Sequence, residues 1–151
     1  MIITFCGHSD FNIGKEELCD AVLSTIEKYG AEKDVTFYLG GYGDFDAIAL
    51  QACKRYKASH PSAKLIFVTP YLNESYLKNN QYRFGEYDEI LFPEIENCLP
   101  RYAILDRNEW MVKRADLVIA FVNYGWGGAA KTLKKAVKLC KNFVNLGTKV
   151  F

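Results

Sequence analysis

At 151 residues, half of them apolar and a quarter charged, the chain has the length and composition of one globular domain that buries its core without disulfide or metal staples. A formal net charge of +1 offers no overall pull toward nucleic acid or an acidic membrane surface. Cys6, Cys19, Cys53, Cys98 and Cys140 are widely spaced with no C-x-x-C pair and read as reduced core thiols of a cytoplasmic protein.

The first apolar stretch, Ile2–Cys6, predicts a short strand, which leaves no room for a secretory signal. Lys15–Tyr29 predicts a helix, with Leu18, Val22 and Ile26 on one face and Gly30 as its stop. Val35–Leu39 is the second strand and Asp44–Ala58 the second helix, with Ile48, Ala52 and Tyr56 aligned. Lys64–Thr69 is a third strand, ended by Pro70. Residues 71–86 are polar and aromatic and predict a loop or lid, with a short helix near Glu74–Lys78. Glu89–Phe92 is a brief fourth strand. A helix over Arg101–Arg114, the strand Leu117–Val122, a helix over Gly128–Cys140 and an edge strand Phe143–Leu146 complete the order. Strands that are apolar throughout, alternating with amphipathic helices, predict a doubly wound α/β domain with a mostly parallel sheet covered on both faces. No apolar run reaches bilayer length, so no membrane partner is expected. His8 and His60 lack neighbouring ligands, and neither a metal nor another cofactor is predicted.

Open parallel sheets bind ligands at the carboxyl ends of their strands, where the chain order reverses. Four loops fall there: Gly7–Asn12, Gly40–Asp46, Thr69–Tyr71 and Asn123–Gly128. In the first, Gly7 permits close approach, while His8, Ser9 and Asp10 either serve the turn and helix cap or contact a ligand. In the second, Gly41, Gly43 and Asp46 match G-x-G-x-x-D, one residue short of the dinucleotide fingerprint. The following strand, KLIFVTP, ends without a carboxylate to hold a ribose, so a conventional NAD site is not expected. Gly40, Gly41 and Gly43 still set backbone N–H groups at a helix start, a ready anion site. Asp44 and Asp46 suit the helix dipole but repel phosphate; they are either first-turn acids or ligands to a sugar hydroxyl.

The fourth loop reads G-W-G-G-A-A-K-T over residues 125–132, one residue from a P-loop, with Ala130 where a glycine is required. A phosphate cradle on Gly127 and Gly128 survives that objection, and Tyr124 and Trp126 either stack a base or pack. Upstream, Ile104, Met111 and Ala115 mark the buried face of a helix, with Asn108 on it and Arg107 beside it. These two polar residues either satisfy backbone at a strand end or line a pocket and hold an anion. Asp106 and Glu109 alternatively form a capping box. Lys131, Lys134, Lys135 and Lys138 form a stripe that a solvated outer face accounts for.

"RNEWMVKRADLVIAFVNYGWGGAAKTLKKA", with "GGYGDFDAIA" and "ITFCGH", resembles the SLOG superfamily of Rossmann-like proteins. That group joins the DprA (Smf) DNA-processing proteins, the LOG (Lonely Guy) phosphoribohydrolases and small bacterial and phage proteins. The resemblance implies a pocket for a nucleotide or nucleotide sugar built from the glycine loops with Arg107 and Asn108, as in a sensor or signalling module. Arg107 and Asn108 match the Arg-Lys pair of the LOG pattern, and Gly127 and Gly128 match its P-G-G-x-G-T-x-x-E. Lys134 stands where the catalytic Glu falls, which leaves Asp46 as the tentative acid or base if the chain hydrolyses nucleoside monophosphates. A DNA-processing accessory is the further alternative. Near-neutral charge argues against it, so nucleic acid is not the expected partner. A homodimer is compatible with all three.

Overall fold

Alternating side chains of a strand point to opposite faces, so an unbroken apolar run such as LVIAF at residues 117–121 needs helices on both sides. The computed structural model supplies them. It describes residues 1–10, 13–41, 43–70, 74–79, 81–93 and 100–148. The strands are β1 (Ile2–Gly7), β2 (Thr36–Leu39), β3 (Lys64–Val68), β4 (Glu89–Leu91), β5 (Leu117–Phe121) and β6 (Asn142–Asn145). The helices are α1 (Lys15–Gly30), α2 (Asp44–Ser59), α3 (Glu74–Asn79), α4 (Gln81–Phe84), α5 (Ala103–Arg114) and α6 (Gly128–Lys138).

All six strands pair in parallel in the order β4-β3-β2-β1-β5-β6. Leu117, Ile119 and Phe121 join Ile3, Phe5 and Phe37 in one core under α1 and α2, where Leu18, Val22, Ile48 and Ala52 close the layer. Val118 and Ala120 face the other way and pack with Val112 of α5 and Ala130, Leu133 and Ala136 of α6. The chain order reverses between β1 and β5, which leaves a crevice between their carboxyl ends. The architecture is Rossmann-like α/β, as expected. No helix among the described residues is long and apolar enough to cross a membrane.

Three expectations shift. The segment foreseen as a loop or lid holds the short helix expected near Glu74–Lys78, now α3, and a second one, α4, that was not foreseen; Tyr71, at the end of the third loop, lies outside the described residues. The buried seam of α5 runs through Ala103, Arg107 and Met111, and Ile104 and Asn108 are only half-buried. Met111 and Ala115 are buried as expected, while in the first half of the helix the seam is shifted by one residue to Ala103 and Arg107, whose guanidinium bonds the carbonyls of Gly40 and Val68. Finally, α5 begins at Ala103 with no side-chain cap, so Asp106 and Glu109 form no capping box; Glu109 instead pairs with Lys113 and Lys135. Of the cysteines, Cys6, Cys19 and Cys53 are buried thiols, Cys140 is exposed, and Cys98 lies outside the described residues.

Candidate functional site

The crevice at the switch point is a cleft of about 350 Å³. Gly7, His8, Ser9 and Asp10 enter it from the end of β1, Gly43 and Asp46 from the start of α2, Arg107 and Asn108 from α5, and Tyr124, Gly127 and Gly128 from the β5–α6 loop. All eleven of these were candidates from the sequence and share one recess, whereas Gly40 and Gly41 do not line it. A larger groove of about 430 Å³ runs between α1 and α2, but no strand end or glycine loop except the first turn of α2 opens into it.

Several glycines permit close approach, and two of them bear on the cleft. A Cβ on Gly7 would stand 2.3 Å from the Phe45 ring, so this glycine lets α2 seat against β1. A Cβ on Gly40 would stand 3.0 Å from the guanidinium carbon of Arg107. Arg107 itself is 1% exposed. Its Nη1 donates to the carbonyls of Gly40 and Val68, each at 2.8 Å, and its Nε donates to Asn108 Oδ1 at 2.8 Å. Of the two roles open to it, the geometry supplies strand-end satisfaction: a cation fastens the ends of β2 and β3 from beneath the cleft.

The N-termini of α2 and α6 both point at the recess. Gly43 and Gly127 are their N-caps, at φ 95° and 90°, and neither helix end has a side-chain cap. They differ in charge. The first turn of α2 carries Asp44 and Asp46, whereas α6 carries four lysines and no acid along its whole length. Uncapped N–H groups with a positive helix behind them favour an anion at α6 rather than at α2.

An aromatic stack borders that helix end. The His8 and Tyr124 rings lie 3.7 Å apart at 9°, and Tyr124 stacks on Trp126 at 4.2 Å and 27°. His8 is 6% exposed while Trp126 is 70% exposed, so the ladder starts in the floor of the cleft and ends in solvent. Tyr124 is fixed by donating its hydroxyl to Asp10 at 2.8 Å. The loop carrying it is tied down from below: the Asn145 side chain bonds both the N–H and the carbonyl of Val122, and Lys134 Nζ donates to Gly125 O at 2.7 Å. His8 Nε2 is the one buried side-chain polar atom without a partner among the described residues. Burial holds the imidazole below its ordinary 6.5, against the opposing pull of Asp10 and of a hydrogen bond to the Tyr124 backbone. Burial, helped by the charge of Asp46, pushes the Cys6 thiol up, so no thiolate nucleophile waits in the cleft floor.

Sequence reasoning weighed Tyr124 and Trp126 but had no means of pairing them with His8, which stands far away in the chain. Asn145 was missed, since a lone Asn in an edge strand carries no signal of what it braces.

Fold and cleft together define a Rossmann-like module with a crevice at the topological switch point. No family model matches the chain, and no curated protein matches it. Solved structures do. DNA processing protein A from Helicobacter pylori, described for its single-stranded DNA binding mode, superposes with a TM-score of 0.63 at 16% identity, over 95% of this chain and 63% of that one. DNA processing protein A (DprA) from Streptococcus pneumoniae superposes with a TM-score of 0.61 at 17% identity, over 93% of this chain and 48% of that one. The present chain therefore shares the fold of DprA and spans about half to two thirds of those chains.

The expectation that nucleic acid is not a partner is corrected by this likeness, because the same fold serves a protein that binds single-stranded DNA. Near-neutral charge is no ground for excluding a strand, for a physical reason. Net charge averages the whole surface, whereas a strand meets one edge, and here four lysines stand on the helix that borders the cleft.

Proposed function

We propose that the chain is a DprA-like member of the SLOG group that holds single-stranded nucleic acid at the carboxyl edge of its sheet. One phosphate sits at the N-terminus of α6 over Gly127 and Gly128, and the neighbouring base stacks on Trp126. The observation that carries this reading is the ring ladder His8–Tyr124–Trp126, whose last member is 70% exposed beside an uncapped helix end. An indole left in solvent forfeits burial that a packing role would have secured, and every base offers it a π-face. The likeness in fold to a single-stranded DNA-binding protein supports the same reading. Lys131, Lys134 and Lys138, exposed along α6, give the backbone of a longer strand a path away from the cleft.

The cleft's volume suits one nucleotide unit, and the sugar of that unit falls near Asp46 and Ser9, which also line it. The test is fluorescence anisotropy of a labelled single-stranded oligonucleotide, with duplex DNA and free mononucleotides as competitors. The strand should bind with an affinity that weakens as salt rises, and Trp126→Ala should weaken it about 5- to 150-fold, from a stacking term of roughly 1–3 kcal/mol. Mononucleotides that compete as well as the strand would instead favour a free nucleotide ligand, and no binding by either would end the reading.

A further inference from the structure

We infer that His8 makes strand binding proton-coupled: the imidazole is neutral in the free protein and takes up a proton at Nε2 when a phosphate enters the cleft. This rests on the proposed site and specifies the group that recognises the phosphate there.

His8 lines the cleft, and its Nε2 is buried with no partner among the described residues, close to a helix N-terminus. With its proton on the other nitrogen, the neutral ring offers a phosphate only a lone pair there. A lone pair repels a phosphate oxygen. A proton on Nε2 turns it into a charged donor, and the bond to an anionic oxygen is then charge-assisted.

The surroundings are ready for the cation but do not by themselves create it. Tyr124 lies face-on at 3.7 Å, within cation–π range, and its hydroxyl is held by Asp10. Asp10 and Asp46 are the acids facing the ring's cleft from the β1 loop and α2; Arg107 of α5 and Cys6 of β1 complete its ionisable neighbours. Against these, burial keeps the free ring neutral. A phosphate adds the missing charge at the missing position. The balance is simple: one proton moves from solvent to Nε2 for each strand bound, and none returns until release. Among these neighbours Arg107 keeps its charge throughout, and the thiol of Cys6, pushed up by burial, stays protonated. The experiment turns on His8 itself.

The experiment measures the Kd of the full chain for a single-stranded oligonucleotide without terminal phosphates, whose diester charges do not titrate between pH 5.5 and 7.5. Affinity should rise at least tenfold as pH falls across that range, approaching tenfold per unit where the free ring is neutral and the bound ring charged. Calorimetry in two buffers of different ionisation enthalpy should find an uptake of up to one proton per strand, a reading that needs no variant. His8→Gln, and His8→Asn as a second choice if the first folds poorly, should bind with a flat profile and no uptake. A flat wild-type profile, or an unchanged slope in the His8 variants, overturns the inference and leaves strand binding standing. Absence of binding at every pH overturns both.

Discussion

Removing the donors of Arg107 while keeping its apolar stem, as Arg107→Met does, isolates the clamp beneath the cleft. The guanidinium supplies two 2.8 Å bonds to the terminal carbonyls of neighbouring strands, Gly40 O and Val68 O. Hydrogen bonds to a charged partner contribute roughly 1.5–3 kcal/mol each, which sums to about 3–6 kcal/mol. Releasing a fully buried cation from its desolvation offsets part of that, leaving a net loss of about 2–4 kcal/mol. Urea unfolding followed by tryptophan fluorescence reads it as a midpoint lowered by about 1–2 M, given an m-value of about 2 kcal/mol/M. A cycle sharpens the test. Gly40→Ala places a methyl 3.0 Å from the guanidinium carbon, so it should destabilise the wild type by about 1–2 kcal/mol and do little in the Arg107→Met background. The reasoning fails if Arg107→Met costs less than about 1 kcal/mol, or if it abolishes ligand binding at unchanged stability. The second outcome would make Arg107 an anion ligand after all.

Gly7→Ala should cost at least about 2 kcal/mol in the same assay, because its methyl would meet the Phe45 ring at 2.3 Å and α2 must move to admit it. The free protein should lose stability as pH falls below about 6.5: His8 has its folded value depressed, so the unfolded chain binds the proton first, and His8→Gln should remove that component from a series of thermal melts. Incubation with AMP, CMP, GMP or UMP should release little free base by chromatography, since Lys134, at the position matching the LOG acid, is committed to the carbonyl of Gly125; release that disappears in Asp46→Asn would contradict this.

What the sequence made legible was whatever local patterning determines. The all-apolar strand at residues 117–121 demanded a two-sided sheet, and the glycine pair at 127 and 128 announced the start of α6. Knowledge of where parallel sheets bind ligands then brought residues from three loops and α5 to one cleft. Long-range pairings were not legible. Arg107 could be recognised as a buried polar side chain needing partners, but not which strand ends it would satisfy. The stacking of His8 on Tyr124 depends on β1 and β5 being neighbours with Gly7 opposite Phe121, a register no local pattern encodes. The exclusion of nucleic acid rested on a total where a local sum was needed: α6 alone holds four of the chain's 19 basic residues and no acid.

The most direct measurement of the central claim is photocrosslinking of the full chain to a single-stranded oligonucleotide carrying 5-iododeoxyuridine, followed by peptide mass spectrometry. A stacked base should crosslink to Trp126 or Tyr124, on the peptide that joins β5 to α6, and the yield should collapse in Trp126→Ala. Crosslinks confined to other surfaces, or a yield untouched by that substitution, would contradict the account.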